Sequence, residues 1–322
     1  MKRLLVTGGA GFIGSNFIRH MLAKYPDYKI TNLDKLTYCG NLENLKDVSG
    51  NKNYNFVKGD IADRKTVDML VKGSDVVLNF AAETHVDRSI KDPDEFVRTN
   101  ILGTHTLLEA ATLCGTERYI QISTDEVYGS ISNGAFTEDS NIAPNSPYSA
   151  AKAGGDLLAR SYFVTHGLPV IITRSSNNFG PYQYPEKVIP LFVTNLLEGR
   201  KVPLYADGSN VRDWLFVIDN CEAIDAVMHK GRIGEVYNIG GGNEITNMAL
   251  TRTLLQLLGK GEERIEFVKD RPGHDKRYAL DIAKVRALGW EPRHDFKGAL
   301  ELTVNWYSQH KAWWKKLKKS SA

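Results

Sequence analysis

The chain has 322 residues, 42% hydrophobic and 25% charged, with a formal net charge of +3. That length can bury a large core in one or two domains. The composition excludes intrinsic disorder, and so small a charge excludes a dedicated nucleic-acid binder.

Residues 3–7 read as a short buried strand, and residues 15–22 carry the apolar spacing of a helix. Between them lie Gly8, Gly9, Ala10, Gly11, Phe12, Ile13 and Gly14. Glycines at 9, 11 and 14 fit G-x-G-x-x-G, and those at 8, 11 and 14 fit a variant. Either pattern lets the backbone turn tightly and approach a pyrophosphate seated on the positive end of the helix. A glycine motif alone is weak evidence. Here the next strand, 28–33, ends in Asp34, twenty residues beyond Gly14, where an acid can bind an adenosine ribose. Its carboxylate repels a 2'-phosphate and so favours NAD over NADP, although the adjacent Lys35 softens the repulsion.

Apolar runs at 55–57, 75–80, 119–122 and 169–173 read as further parallel strands alternating with helical segments, the pattern of an α/β doubly wound (Rossmann) parallel sheet. Ligands in such sheets sit beyond the carboxyl ends of the strands. Asp60 and Ile61 are then expected on the adenine side, and Ala81, Ala82, Glu83, Thr84 and His85 are expected to border both cofactor and substrate. Either segment can equally be a plain loop. Residues 94–113 and the helix after Tyr148 carry wide apolar stripes that serve as core or as a subunit interface.

The run at 119–122 leads into Ser123, Thr124, Asp125, Glu126, Val127 and Tyr128, so two acids stand at a strand end and point to proton transfer. Alone, such a pair is more often a solvated turn whose Asp caps a helix. Tyr148 and Lys152 stand four apart at the start of a helical run, which lets phenol and ammonium address one site. A free tyrosine has a pKa of about 10, and lowering it to neutrality takes about 4 kcal/mol of differential stabilisation. Lys152 and a cationic nicotinamide are the candidates to supply it. Alone, this pair too is ordinary; the glycine loop upstream tips both readings towards chemistry.

After about residue 175, stretches rich in Pro, Gly and Asn at 177–182, 203–205, 212–214 and 271–274 read as surface connections. Lys187, Arg212, Arg271 and His274 are cationic groups there, suited to clamp a substrate diphosphate. The expected organisation is a cofactor domain over 1–175, a mainly substrate-binding, smaller domain over 176–322, and a return of about 210–242 to the first sheet through the apolar runs 214–217 and 236–239. Lys315, Lys316, Lys318 and Lys319 read as the solvated end of a terminal helix. Three cysteines without paired spacing fit a reducing compartment, eight histidines show no metal-ligand spacing, and no apolar run nears the ~20 residues of a membrane span. A cytoplasmic protein without a metal, nucleic-acid partner or membrane partner is expected.

The glycine loop from Gly8, the Tyr148-x-x-x-Lys152 pair and residues 212–217 resemble the extended short-chain dehydrogenases/reductases. Residues 34–38, 81–89, 123–129, 177–181 and 271–275 narrow the resemblance, over nearly the whole chain, to the dTDP-glucose 4,6-dehydratase family. Asp125-Glu126 is its most specific element, since epimerases of the superfamily have small residues there. Thr84 departs from the family's usual serine, and Ala151 stands where serine is common. The resemblance implies NAD as cofactor, dTDP-glucose as substrate, a homodimer through two helices of each subunit, and a role in making deoxysugars such as rhamnose. It places the cofactor against Gly8, Gly11, Phe12, Ile13, Gly14, Asp34, Lys35, Leu36, Thr37, Asp60, Ile61, Ala81, Ala82, Glu83, Thr99, Tyr148, Lys152 and Asn178. It places the substrate against Thr84, His85, Thr124, Asn177, Lys187, Val188, Pro203, Tyr205, Arg212, Asn247, Arg271 and His274. In the implied mechanism Tyr148, assisted by Lys152 and with Thr124 on the 4-oxygen, takes the hydroxyl proton as sugar carbon 4 is oxidised. Glu126 is the base at carbon 5, and Asp125 the acid for the departing carbon 6 hydroxyl. Another nucleotide-sugar 4-epimerase, dehydratase or decarboxylase and a non-catalytic NAD-binding regulator are the rivals, and the two acids count against the epimerase, the decarboxylase and the regulator.

Overall fold

The computed structural model describes residues 1–320. Its strands are β1 (Arg3–Thr7), β2 (Lys29–Asp34), β3 (Tyr54–Lys58), β4 (Val76–Asn79), β5 (Arg118–Thr124), β6 (Val170–Ser175), β7 (Asn177–Phe179), β8 (Val202–Tyr205), β9 (Val211–Phe216), β10 (Val236–Ile239), β11 (Glu244–Thr246) and β12 (Ile265–Val268). Seven form one sheet in the order β10-β6-β5-β4-β1-β2-β3, with every pairing parallel. β4 and β6 are buried along their whole length, as a parallel sheet covered by helices on both faces requires. On one face Leu4, Val6 and Leu78 meet Phe17, Ile18, Ile224 and Val227 of the helices Phe12–Lys24 and Val217–Lys230. On the other, Leu5, Val77 and Tyr119 meet Leu107, Leu108 and Ala159.

A second core unites the later elements around Phe179, Phe192, Trp214, Leu254, Tyr307 and Trp314. Here the structure departs from expectation. Of the two apolar runs expected to rejoin the main sheet, only 236–239 does so, as β10 beside β6. Residues 214–216 belong to β9, in a separate sheet of order β11-β9-β7. Their alternation explains the apolar run: Leu215 packs into the first core while Trp214 and Phe216 pack into the second. Likewise 177–182, 203–205 and 212–214, read as connections, contain β7, β8 and β9. Lys318 is not a solvated tail group either, because its ammonium donates to Asn195 Oδ1 at 2.9 Å and meets Glu198 at 3.0 Å.

Two local features position the site. Helix Pro147–His166 starts sharply because Ser146 caps it in a reciprocal bond with Ser149 and Pro147 occupies its first turn. The helical stretch expected over 94–113 is interrupted by a π-helical segment, Val97–Gly103, before continuing as Thr104–Cys114. Among the described residues, no helix is long and apolar enough to cross a membrane.

Candidate active site

Strand order reverses between β1 and β4, and beyond their carboxyl ends lies a cleft of about 290 Å³. Gly8 has a φ of +68°, and a Cβ there would sit 2.6 Å from the backbone nitrogen of Ala81. A Cβ on Gly14 would sit 2.5 Å from the Gly8 carbonyl oxygen. Only bare backbone fits. Helix Phe12–Lys24 has Gly11 as its cap and no side chain on its first amides. Phe12, Ile13 and Gly14 line the cleft, so the N–H groups of the first helical turn are available to an anion such as a pyrophosphate.

Asp34 ends β2 and is 8% exposed. Its carboxylate accepts the Ala10 amide at 2.9 Å and the Leu36 amide at 2.8 Å. Burial holds it above the usual carboxylate range, with the two amides opposing. Besides facing a ribose, as its place at the end of β2 implies, Asp34 pins the glycine loop to β2. Lys35 and Thr37 line the cleft with Asp60, Ile61 and Thr99, whereas Leu36 does not. The Lys35 charge is shared with Asp60 at 3.1 Å and Glu95 at 3.5 Å, and Arg98 meets the same Asp60 oxygen at 2.9 Å.

Ala81, Ala82, Glu83 and Thr84 form the wall after β4. Asn100, on the π-helical segment, grips this wall with both ends of its amide, accepting from Glu83 N and donating to Glu83 O, each at 3.0 Å. Nothing in the sequence marks Asn100, since an asparagine inside a helical stripe looks like a neutral surface position.

β5 delivers the acids. Thr124 caps the 3₁₀ turn Asp125–Tyr128, accepting from Glu126 N and donating to Asp125 Oδ1, both at 3.3 Å. Asp125 is 1% exposed, and its Oδ2 has no hydrogen-bond partner. Burial, then the neighbouring Glu126 and Asp213, push Asp125 well above the carboxylate range, with Arg212 and Thr124 opposing. Burial also raises Glu126, but there Arg271, Lys187 and Arg212 all favour the charged form. The adjacent carboxyls therefore keep different company.

Tyr148 and Lys152 line the same cleft as the two acids. Lys152 donates from Nζ to the Ile122 carbonyl at 2.6 Å; burial lowers its pKa to about 8, against the pull of Asp156. The Tyr148 phenol is pushed up, first by burial and then by Glu126, while its bond with Thr124 pulls down. This is opposite to the lowering expected from Lys152. Within the protein, burial and the charges of Glu126, Asp125 and Asp156 raise the phenol, with only the Thr124 bond set against them.

On the substrate side Thr84, Asn177, Asn178 and Lys187 line the cleft, and Lys187 Nζ donates to Thr84 O at 2.7 Å. Beyond it, Tyr205 Oη donates to Asp87 at 3.2 Å, Arg271 stands 3.7 Å from Asp87, and the Tyr205 and His274 rings are 5.8 Å apart. Arg212 is 5% exposed, donates to Asp275 O at 2.9 Å and covers the Tyr278 ring. His85 faces Glu186 at 3.7 Å. Val188 and Asn247 open the helices Val188–Leu197 and Asn247–Leu257, Pro203 lies in β8, and none of the three borders the cleft. Among the described residues no cluster of His, Cys, Asp and Glu could hold a metal ion.

Residues 5–303 match the family model described as GDP-mannose 4,6 dehydratase. The chain belongs to that family, within the extended short-chain dehydrogenases/reductases. A dTDP-glucose 4,6-dehydratase of Streptomyces niveus is 54% identical over 321 residues, spanning 98% of this chain and 96% of that one. Agl12, a low-salt glycan biosynthesis protein of Haloferax volcanii, is 56% identical over 304 residues, spanning 94% of this chain and 98% of that one. The crystal structure of DesIV, a dTDP-glucose 4,6-dehydratase from Streptomyces venezuelae with NAD and TYD bound, matches with a TM-score of 0.96 at 52% identity, covering 98% of this chain and 99% of that one. A UDP-glucuronic acid 4-epimerase from Bacillus cereus, in complex with UDP-glucuronic acid and NAD, also matches, with a TM-score of 0.91 at 30% identity, covering 95% of this chain and 99% of that one. Backbone likeness therefore does not separate dehydration from epimerisation. The residues in the cleft have to.

Proposed function

We propose that this chain catalyses the NAD-dependent 4,6-dehydration of dTDP-glucose: oxidation at sugar carbon 4, loss of water across carbons 5 and 6, and hydride return to carbon 6, giving dTDP-4-dehydro-6-deoxyglucose. The observation that carries this reading is the unequal environment of Asp125 and Glu126 on one short turn. Eliminating water needs a proton donor and a proton acceptor at once, and two carboxyls both raised by burial but unequally opposed, Asp125 with two acids adding to the rise and Glu126 with three cations against it, supply that division of labour. Epimerisation at carbon 4 needs neither.

The bare glycine backbone, the uncapped helix start and Asp34 fit a dinucleotide. Bound NAD supplies the hydride acceptor for carbon 4 and the hydride donor for carbon 6. The chain's own residues do the rest. Tyr148 takes the 4-hydroxyl proton, with Thr124 on the same oxygen; the positive charges of Lys152 and of a bound nicotinamide would have to offset the burial that raises its phenol. The resulting ketone acidifies carbon 5. Glu126, its charged form favoured by three cations, removes that proton and returns one to carbon 5 when hydride reaches carbon 6; Asp125, whose protonated form burial and like charge favour, hands its proton to the leaving 6-hydroxyl. Lys187, Arg271 and His274 serve the nucleotide diphosphate end.

The same reading assigns residues 1–175 with β10 to cofactor binding and most of 176–322 to the nucleotide sugar. A homodimer is supported by apolar side chains left outside on the two helical stretches beside each other: Val97 at 51%, Leu102 at 47%, Leu157 at 54% and Val164 at 64% exposure. A cytoplasmic location agrees with three free cysteines, and deoxysugar synthesis, rhamnose included, is the destination we propose for the product.

The test is to incubate purified protein with dTDP-glucose, UDP-glucose, CDP-glucose and GDP-mannose and to identify products by mass and proton spectra. The expected result is a 4-dehydro-6-deoxy product, fastest from dTDP-glucose, with catalytic NAD and no net NADH. A product that keeps its 6-hydroxyl overturns the proposal.

A further inference from the structure

Glu186 is the one acid on the segment that leads into helix Val188–Leu197, and its side chain is only 13% exposed. Its carboxylate is met from two separate loops of the cofactor half. From the loop after β2, Tyr38 Oη donates to Oε1 at 2.8 Å, with the Cys39 thiol 3.8 Å from the same oxygen. From the stretch after β4, Arg88 Nη2 donates to Oε2 at 3.3 Å and His85 Nε2 stands 3.7 Å away. The Arg88 guanidinium also covers the Tyr38 ring at 3.7 Å, so the two loops touch each other as well as the acid. The neighbouring Lys187 reaches the same β4 wall through its bond to Thr84 O.

Each of these loops also belongs to a ligand wall. Tyr38 follows Thr37, which lines the cofactor cleft, and four residues before it Asp34 holds the glycine loop. Thr84 and Lys187 are on the nucleotide-sugar side. We propose that Glu186 is a positioning residue that couples the two ligand sites, so that a nucleoside diphosphate drawing on Lys187 sets the segment carrying Glu186 and thereby orders the β2 and β4 loops for the dinucleotide. The inference rests on the dTDP-glucose reading for the identity of the nucleotide. By linkage the coupling runs both ways, each ligand raising the affinity for the other by the same factor.

The probe is dTDP, which carries the nucleotide but no sugar to touch the nicotinamide. Its dissociation constant is measured by titration calorimetry on the protein saturated with NAD and on the protein stripped of it, and NAD is titrated with and without saturating dTDP. The unaltered protein should show a factor of about ten in both directions. Glu186→Ala should bring it close to one while both ligands still bind. Glu186→Gln and Arg88→Met, which keep more of the packing, should each lower it. A merely structural role would weaken both ligands without changing their ratio. An undiminished factor in Glu186→Ala and Glu186→Gln overturns the coupling and leaves the dehydratase reading standing. No binding of dTDP to the unaltered protein overturns that reading, and this coupling with it.

Discussion

Lys152 and Ile122 are joined by a 2.6 Å hydrogen bond from the ammonium to the main-chain carbonyl. The bond ties the helix that carries Tyr148 to the strand that ends, two residues later, in Thr124, so redox and elimination groups share one frame.

Removing this tie should be felt in the oxidation step. Lys152→Met is expected to slow NADH formation in a single turnover by about 10² to 10⁴. Lys152 holds its proton below about pH 8 and loses it above. In the unaltered protein, the part of the rate that depends on its charge should therefore fall as pH rises through that value. Stopped-flow traces across this range should lose the break in Lys152→Met; a break that persists belongs to another group.

The two acids should separate from the tyrosine. Asp125→Asn and Glu126→Gln are each expected to lose dehydration by about 10² to 10⁴ while bound NADH still forms. Tyr148→Phe should block NADH formation itself. Because Glu126 is assigned the carbon 5 proton, its variant should suppress solvent-deuterium entry there more than the Asp125 variant does. Water loss at the unaltered rate in both acid variants would return the turn to a structural role.

Asp34→Asn should narrow the preference for NAD over NADP by lifting the repulsion of a 2'-phosphate. Because the same carboxylate holds the Ala10 and Leu36 amides, NAD itself should also bind more weakly. Fluorescence titrations with the two cofactors give both numbers. Equal use of NAD and NADP by the unaltered protein would rule out ribose reading by Asp34.

Asp225 predicts a pH window for stability. It is 1% exposed and collects His20 Nε2 at 2.8 Å, His229 Nδ1 at 2.7 Å and Lys24 Nζ at 2.7 Å, joining helix Phe12–Lys24 to helix Val217–Lys230. Burial pushes Asp225 up, but its hydrogen bonds to His20, His229 and Lys24 win and hold it far below the usual range. The bond to Asp225 raises His229, against burial. The Asp225 contribution is present above its unfolded value of about 3.9 and lost as pH falls through the lower folded one; the His229 contribution is complete below about 6.5 and lost as pH rises through the raised folded one. Both are in place between about pH 4 and 6.5. Asp225→Asn should cost about 2 kcal/mol there, with the gap in urea midpoints to the unaltered protein shrinking towards pH 8. A gap independent of pH would contradict the assignment.

Leu157→Glu should turn the proposed dimer into a monomer, because a charge would replace an apolar side chain at the centre of the uncovered stripe on helix Pro147–His166. Sedimentation velocity on the variant and its parent reads this directly, and an unchanged coefficient moves the interface elsewhere.

The parts of the site legible in the sequence are those whose chemistry is local. The glycine turn, the acids at a strand end and the i, i+4 Tyr148–Lys152 pair each announce themselves by spacing. Asn100, Asp87 and Glu186 do not, because their partners lie 17, 118 and 98 or more residues away and only folding brings them together. The second sheet was misread for a similar reason: β9 alternates between two cores, so its apolar run cannot say which sheet it joins. The direction of the Tyr148 shift escaped because desolvation depends on the finished packing around it.

The π-helical segment Val97–Gly103 fixes the length of its part of the chain. A π turn closes its hydrogen bonds one residue later than an α turn, so dropping one residue would let the helix run on regularly into Thr104–Cys114. Each residue of an α-helix advances the rotation by about 100°, and Thr99 and Asn100 would swing off the cleft by that angle while the packed downstream helix stayed where it is. Sequence drift at this place can therefore proceed by exchange of side chains but not by gain or loss of a residue, in contrast to the exposed stretch 132–135, where an added residue would lengthen a surface loop.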